Sequence, residues 1–401
     1  MRIATAHSYD TSIANLQKRQ QDLADVQLRL TSGKRVAVAS DDPVAAGRAE
    51  RALAVEQRVE ATKRAVEASR NAMTLAESAL GDATSVLQSA REAIVAAGNG
   101  TYSDKERQSL ALQLQQYRDQ LLGIANRRDG AGTPLFAGQG ADGDPFVDVA
   151  GTVVFNGVPG AMGLASGEVL PATVDGRYAW MSAASGNGYF ETGYASSNTG
   201  AAWIDPGTVT DRTQATATQG SSYELTFSTV GGTTVYNIAR DGVAVAPADR
   251  PYQSGTAITI DGKAFTISGA PAPGDRFTVA PSTPDLTVFD ALDRTIAALK
   301  QPMSSSAQVS QAVSFGLRDL DGVMERLQSA RAAVGDTLNR IDAVTGRLDA
   351  LDLNAKTDRS NAEDLDMIAA ISDFQNKQTG YDAALKTYAQ VQRLSLFDYL
   401  R

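Results

Sequence analysis

The residues of this 401-residue chain that could do chemistry are few, and each can be weighed by what its neighbours supply. There is no cysteine and one histidine, His7. Disulfides, thiol nucleophiles and Cys-ligated metals are excluded. A His-Glu-x-x-His metal site is excluded as well, because it needs two imidazoles on one helix face. His7 lies in a polar N-terminal segment with no nucleophile pattern beside it, so an exposed or interface histidine is expected. Ser32-Gly33-Lys34-Arg35 carries the Gly-Lys pair of a phosphate loop. The earlier glycine that such a loop requires is Leu28 here, however, and Arg35 stands where a Ser or Thr would hold Mg²⁺. GQGADG at 138–143 matches a dinucleotide fingerprint by letters, but Asp144-Pro145 and strand-like Phe146-Val147 follow it. Without a helix opening there, no dipole or backbone N–H cluster meets a pyrophosphate.

The carboxylates are equally unspecific. Asp41 and Asp42 could contact a cation, but hard cations want several oxygen ligands at defined spacing, and none follow. Asp142, Asp144 and Asp148 lack the calcium-loop spacing and its terminal Glu. Asn99-Gly100-Thr101 spells a glycosylation acceptor and is expected to be a helix stop. Trp180, Trp203, Tyr189 and Tyr194 are the one aromatic set that could line a sugar pocket, and β-core or rim positions are the plainer expectation. Neither a catalytic nor a cofactor or metal site is therefore expected.

Composition narrows the class further. A net charge of −9 and a pI near 4.9, with no basic run interleaved with aromatics, argue against nucleic-acid binding. No window is long and apolar enough to span a bilayer, so no membrane partner is expected. MRIATAHSYDTSIANLQKRQ has no apolar h-region and no small-residue cleavage site, which leaves the cytosol or a signal-less export route.

In the head, Ile13, Leu16, Leu23 and Leu30 give a helical pattern, with Gln20 and Gln27 on its seam. From Pro43, a chain of Val55, Val59, Thr62, Val66, Ser69, Met73, Ala76, Leu80, Ala83, Leu87, Ala90 and Ile94 alternates steps of four and three. That period predicts a long helix with a coiled-coil seam, about 80 Å if unbroken to Ala97. Ser103 and Glu106 spell a capping box before a further helix that should end near Arg128. The tail mirrors the head. Leu317, Leu320, Met324, Leu327, Val334, Leu338, Ile341 and Leu348 predict a second long seam. After Lys356 a last amphipathic pattern carries Met367, Ile371, Phe374, Gln378, Tyr381, Leu385 and Tyr388. In between, Gly, Thr, Val and Pro dominate. AITIDGKAFTISG (257–269) turns at Asp261-Gly262 and YELTFSTVGGTTVYNIARDG (223–242) at Gly231-Gly232, both hairpin signals.

The expected fold class is α+β: a long antiparallel helical bundle or coiled coil from both chain ends, with an inserted β-rich outer domain. The expected domains are terminal helical segments (1–42 and 357–401), a long-helix core with a short hairpin region (43–133 and 286–356), and a β-rich domain (134–285). Between head and core, Gly33 should be the left-handed residue after a helix. Asp42 or Ser40 should be an N-cap and Pro43 the first helical residue, which makes 34–39 a connector. Asp41 belongs to the same joint.

The segment NLQKRQQDLADVQLRLTSGKRVAVASDDPVAAGRA (15–49) and the tail SNAEDLDMIAAISDFQNKQTGYDAALKTYAQVQRLSLFDYL (360–400) resemble the two ends of the flagellar hook-associated protein 3 family, the flagellin-like proteins of the hook–filament junction. GTPLFAGQGADGDPF (132–146), with Leu135-Phe136-Ala137-Gly138 where flagellins tend to carry a Phe-Asn-Gly step, favours this family over flagellin. VVFNGVPG (153–160) and ISGAPAPGDRFTVAPS (267–282) are similar to its β-region. Pro134 departs from the aromatic or aliphatic residue more usual there.

The resemblance implies a structural protein without enzymatic activity or cofactor. It implies export unfolded through the flagellar type III channel and a secreted, flagellar location. It implies homo-oligomeric assembly in a ring-like zone between hook-associated protein 1 and flagellin, and a cytosolic export chaperone on the C-terminal segment. The terminal segments would be disordered in the monomer and form the innermost tube. Seam position marks Ile13, Leu16, Leu23, Leu30, Ile371, Phe374, Tyr381 and Leu385 as candidate interface residues, with Leu396 and Phe397 in the family's closing step. Flagellin itself or hook-associated protein 1 is the near alternative; a secreted carbohydrate-binding or enzymatic module on the β-domain is the remote one.

Overall fold

The structure is a computed structural model that describes residues 2–165, 169–302 and 305–399. The side chains of 2–6, 8, 9, 164, 165, 169 and 391–399 are not among those described. In chain order, α1 is Arg2–Ser32, α2 Pro43–Ala97, α3 Asp104–Ala125, α4 Gly176–Trp180, α5 Arg212–Ala217, α6 Val288–Lys300, α7 Ser306–Glu363 and α8 Met367–Tyr399. Two compact units result, one from 1–64 with 344–401 and the other from 65–343.

In the larger unit the long seam is observed. Met73, Ala76, Leu80, Ala83, Leu87, Ala90 and Ile94 of α2 are fully buried, as are Leu320, Leu327 and Ile341 of α7. Small residues dominate the α2 side, which lets the helices approach closely. Ion pairs fix the register: Arg70–Asp342 at 2.6 Å, Glu77–Arg331 at 2.6 Å and Arg91–Asp321 at 3.1 Å. Ascending numbers on one helix meet descending numbers on the other, so the pair is antiparallel. The capping box at Ser103 forms as expected, with Glu106 returning to the Ser103 N–H at 2.6 Å.

The helical limits differ from the sequence reading in three places. α3 stops at Ala125, with Asn126 spent on both backbone groups of Phe146. α7 starts at Ser306, ahead of Leu317, and continues past Lys356 to Glu363, because no proline falls within it and no glycine follows Gly346. α6 was not anticipated. It is strongly amphipathic, is capped by Thr287 on the Asp290 N–H at 2.8 Å, and packs along α3.

The β-strands are β1 Ala141–Val149, β2 Thr152–Gly157, β3 Gly163–Ala165, β4 Val169–Pro171, β5 Phe190–Tyr194, β6 Ala201–Ile204, β7 Thr208–Val209, β8 Tyr223–Val230, β9 Thr233–Arg240, β10 Val243–Pro251, β11 Ala257–Ile260, β12 Lys263–Ala270 and β13 Arg276–Pro281. An antiparallel sheet runs β10-β9-β8-β13-β5, and a second runs β11-β12-β6 with β7 on β12. Phe190, Tyr223, Leu225, Phe227 and Phe277 of the first share one core with Ile204, Phe265 and Ile267 of the second. Both expected hairpins form. At the second turn Asp261 and Gly262 take φ of 49° and 75°, the left-handed pair that a two-residue hairpin requires.

The β1–β2 hairpin lies apart from these sheets and packs on α3 and α6, held by Arg118, which meets Asp148 and Asp293 at 2.7 Å each. At the foot of β5, Arg318 of α7 donates to the Thr192 carbonyl at 2.9 Å and pairs with Glu191 at 3.1 Å and Asp319 at 2.8 Å. The four aromatics weighed as a pocket have separate surroundings. Trp180 is buried among Phe136, Phe146 and Phe289, Trp203 pairs on β6 with Ser268 of β12, Tyr194 meets Phe315, and Tyr189 lies under Arg212.

Candidate functional site: the joint and the terminal helix pair

The smaller unit holds the stretch that looked most like chemistry. Gly33 has φ +68° and its N–H reaches the Arg29 carbonyl at 2.9 Å, a single left-handed cap on α1. Asp42 Oδ1 accepts from the N–H groups of Val44 (3.1 Å) and Ala45 (3.0 Å), so Asp42 is the N-cap and Pro43 the first residue of α2. Asp41 Oδ2 accepts from Ala37 (3.0 Å) and Val38 (3.1 Å), closing the connector on itself. Both carboxyls sit below the ordinary aspartate value. For Asp41 the cause is the Val38 N–H and then that of Ala37; for Asp42 it is chiefly the Ala45 N–H, aided by Arg35. These acids are occupied with backbone. Among the described residues no group of three or more His, Asp or Glu is placed to hold a metal ion.

The basic half of the stretch points at the other end of the chain. Lys34 Nζ lies 3.1 Å from Glu363, and Arg35 donates to the Ala362 carbonyl at 2.7 Å. The Arg35 N–H reaches the Glu363 carbonyl at 2.7 Å, while the Leu365 N–H returns to the Gly33 carbonyl at 3.0 Å. Lys34 and Asp364 thus form an antiparallel bridge. Asp366 Oδ1 accepts from Ile368 and Ala369 and so starts α8 as Asp42 starts α2. Arg359 ties the clip to the core helices through Glu56 at 3.1 Å. The two breaks in the helices are therefore stitched to one another by backbone hydrogen bonds flanked by charge pairs. Glu363, Asp364, Asp366 and Arg359 were missed from sequence. The Asp366-Met367-Ile368 start of α8 was a usable capping signal, whereas the pairing of 34–36 with 363–365 had none.

Beyond the clip α1 packs along α8, around a groove of about 820 Å³ that Leu16, Arg19, Ala383, Ala384 and Tyr388 help to line. Leu16, Leu23, Leu30, Phe374 and Tyr381 are half-buried here, and Val26, not picked from sequence, is buried. Ile13, Ile371 and Leu385 stay exposed, while Leu396 and Phe397 lie outside the residues whose side chains are described. Exposed apolar residues crowd this unit: Leu28, Val38, Val44, Leu351, Leu353, Met367 and, at 85% exposure, Ile368. Chemically the arrangement fastens the two chain ends to one another.

Comparison with known proteins agrees with this layout. Residues 3–141 match the bacterial flagellin N-terminal helical region and 317–400 the bacterial flagellin C-terminal helical region, together more than half of the chain. Flagellar hook-associated protein 3 of Salmonella typhimurium is 25% identical over 405 residues, covering 100% of both chains. Its counterpart from Escherichia coli is 25% identical over 99% of each. The crystal structure of flagellar hook-associated protein 3 from Legionella pneumophila has TM-score 0.69 at 27% identity, covering 76% of this chain and 96% of that one. That of FlgL from Xanthomonas campestris also has TM-score 0.69 at 27% identity, over 78% and 99%. The chain belongs to the flagellin family, with terminal helical regions around an inserted β-rich domain, and within that family it resembles flagellar hook-associated protein 3 from end to end.

Proposed function

We propose that this protein is a structural part of the bacterial flagellum and forms, with further copies of itself, the junction zone between the hook and the flagellin filament. The observation that carries this reading is the clip at 33–36 and 363–365, which delivers head and tail together into one helix pair that leaves Ile13, Leu28, Met367, Ile368, Ile371 and Leu385 on the surface. Exposed apolar residues gathered into a patch mark a protein–protein interaction surface. Burying it against neighbouring copies would contribute about 25 cal/mol per Å². The pieces before Pro43 and after Glu363 order fully only on assembly and form the innermost tube, with the β-rich domain outermost. Hook-associated protein 1 lies on the hook side and flagellin on the filament side. The chain leaves the cell through the flagellar type III channel, with an export chaperone on its C-terminal segment, and it catalyses no reaction.

The test is deletion of the gene in its host followed by electron microscopy. The junction role requires intact hooks, no attached filaments and flagellin shed into the medium, all restored by the intact gene. Normal filaments on the deletion strain refute it. Loss of filament protein itself, with nothing shed, would point instead to flagellin.

A further inference from the structure

Three Asn-Gly steps occur in this chain: Asn99-Gly100, Asn156-Gly157 and Asn187-Gly188. We infer that Asn99, in the turn between α2 and α3, is a self-activated deamidation site, and that the other two are protected by the fold.

The reaction needs only water. The Gly100 nitrogen attacks Asn99 Cγ and forms the new C–N bond. The bond from Cγ to Nδ2 breaks, and ammonia leaves carrying the proton that Gly100 gave up. Water then opens the cyclic imide at either carbonyl, giving aspartate or isoaspartate. Several of its requirements are met at Asn99. The step is exposed, and the Gly100 N–H has no hydrogen-bond acceptor among the described residues. Negative charge develops on Oδ1 during the attack, and two donors already point there: the Thr101 N–H at 3.1 Å and the Thr101 hydroxyl at 2.9 Å. They act as a small oxyanion hole. The Asn99 carbonyl accepts from the Tyr102 N–H at 3.0 Å, which polarises the peptide group that must give up its proton. Space is also available, since nothing lies within 4 Å of the position a Gly100 Cβ would take.

At Asn187 the same letters are locked. Nδ2 donates to the Gly207 carbonyl at 3.1 Å, and the nucleophile, the Gly188 N–H, is bonded to the Ser185 carbonyl at 3.3 Å. Oδ1 there also holds two N–H groups, of Tyr189 and Phe190, so oxyanion donors alone do not open the site. Asn156-Gly157 lies in β2 with Gly157 in register with Ala141, and the extended backbone holds the carboxamide away from the next nitrogen. Gly157 is moreover crowded by the Phe155 ring and the Ala137 carbonyl. At Asn99 the product carboxylate lies just past the last carbonyls of α2, where the helix dipole disfavours negative charge. Conversion therefore loosens this turn, and the molecule ages at one defined point.

The test is incubation of the folded full-length chain in mildly alkaline buffer, with tryptic mapping over time for the mass gain of amide-to-acid conversion. The three steps fall on separate peptides, 92–105, 129–177 and 178–212. In the folded chain the 92–105 peptide converts roughly tenfold or more faster than the others, because attack elsewhere must first break native hydrogen bonds. In urea all three convert at similar rates. Thr101→Val, which removes the hydroxyl donor, slows the folded-state reaction several-fold, and Thr101→Ser does not. Conversion of either other peptide within about tenfold of 92–105 in the folded chain overturns the inference, as does a folded-state rate that Thr101→Val leaves unchanged.

Discussion

Truncating Arg318 to alanine tests whether the charge cluster at the foot of β5 clamps the sheet to the helices. In the native chain the Arg318 guanidinium holds the Thr192 carbonyl, Glu191 and Asp319, and it lies 4.1 Å over the Phe315 ring. Asp319 is only 3% exposed, and its other cation, Arg294, is 3.6 Å away with most of its side chain in solvent. Alanine therefore strands a buried carboxylate, which costs about 3–5 kcal/mol when one partner of a buried pair is removed. For a unit of this size that lowers Tm by roughly 6–20 °C.

The pH dependence has a definite sign. Burial already raises the Asp319 carboxyl above its ordinary value, against the opposing pull of Arg318. A raised acid binds its proton more tightly folded than unfolded, so its contribution is most favourable at low pH and is lost as pH rises from 3.8 through the folded value. Removing Arg318 pushes that value higher still. The variant is thus hurt more at about pH 7 than at about pH 5, where the stranded acid can protonate. Thermal unfolding followed by near-ultraviolet dichroism, with Trp180 as a core reporter, measures both effects. Arg318→Met with Asp319→Leu removes the stranded charge as well, and its cost falls close to zero. A loss for Arg318→Ala that is equal at both pH values, or a double variant as damaged as the single one, refutes the clamp.

Three further outcomes bear on assembly. Gly33→Ala forces a side chain into φ +68° at a position with nothing within 4 Å, so its cost of about 1–2 kcal/mol is purely conformational. Swimming should be impaired by Ala and largely spared by Asn, which tolerates that region. Ile368→Asp should leave monomer stability within about 0.5 kcal/mol of the parent, since the side chain is exposed; complementation of a deletion strain should nonetheless fail to attach filaments. Limited proteolysis of the monomer should trim both ends and spare a core from roughly residue 45 to 355. Ends protected in the monomer would count against ordering on assembly.

What the sequence disclosed and withheld divides along one physical line. Signals that act over three or four residues were legible: the Ser103–Glu106 box, the Asp261-Gly262 turn, the Gly33 cap and the Asp42-Pro43 start. Long periodic burial was legible too, because a seam repeats its message many times along α2 and α7. Hidden were the contacts whose partners lie far apart in the chain. Nothing in Lys34-Arg35 names Glu363 or the Ala362 carbonyl, 327 residues from Arg35. The end of α7 was misplaced by the same blindness. Lys356 looked like a boundary because apolar periodicity fades there, yet the helix runs on to Glu363, supported by Arg359 against Glu56 and the clip itself. A helix end set by local breakers can be read from one strand of text; an end set by a bridge to the other terminus cannot. That distinction bears on the mechanism proposed for the junction. Head and tail meet at a clip made mainly of backbone groups, with exposed, salt-screened charges around it, so its integrity depends on both ends being present. A chain truncated after Ala362 loses the Leu365 donor, the Glu363 carbonyl that takes two N–H groups, and the Asp366 cap together. The head's connector then loses the Glu363 carbonyl that takes the Arg35 and Val36 N–H groups, and α1 loses the helix it packs against. Removing the tail therefore releases the head.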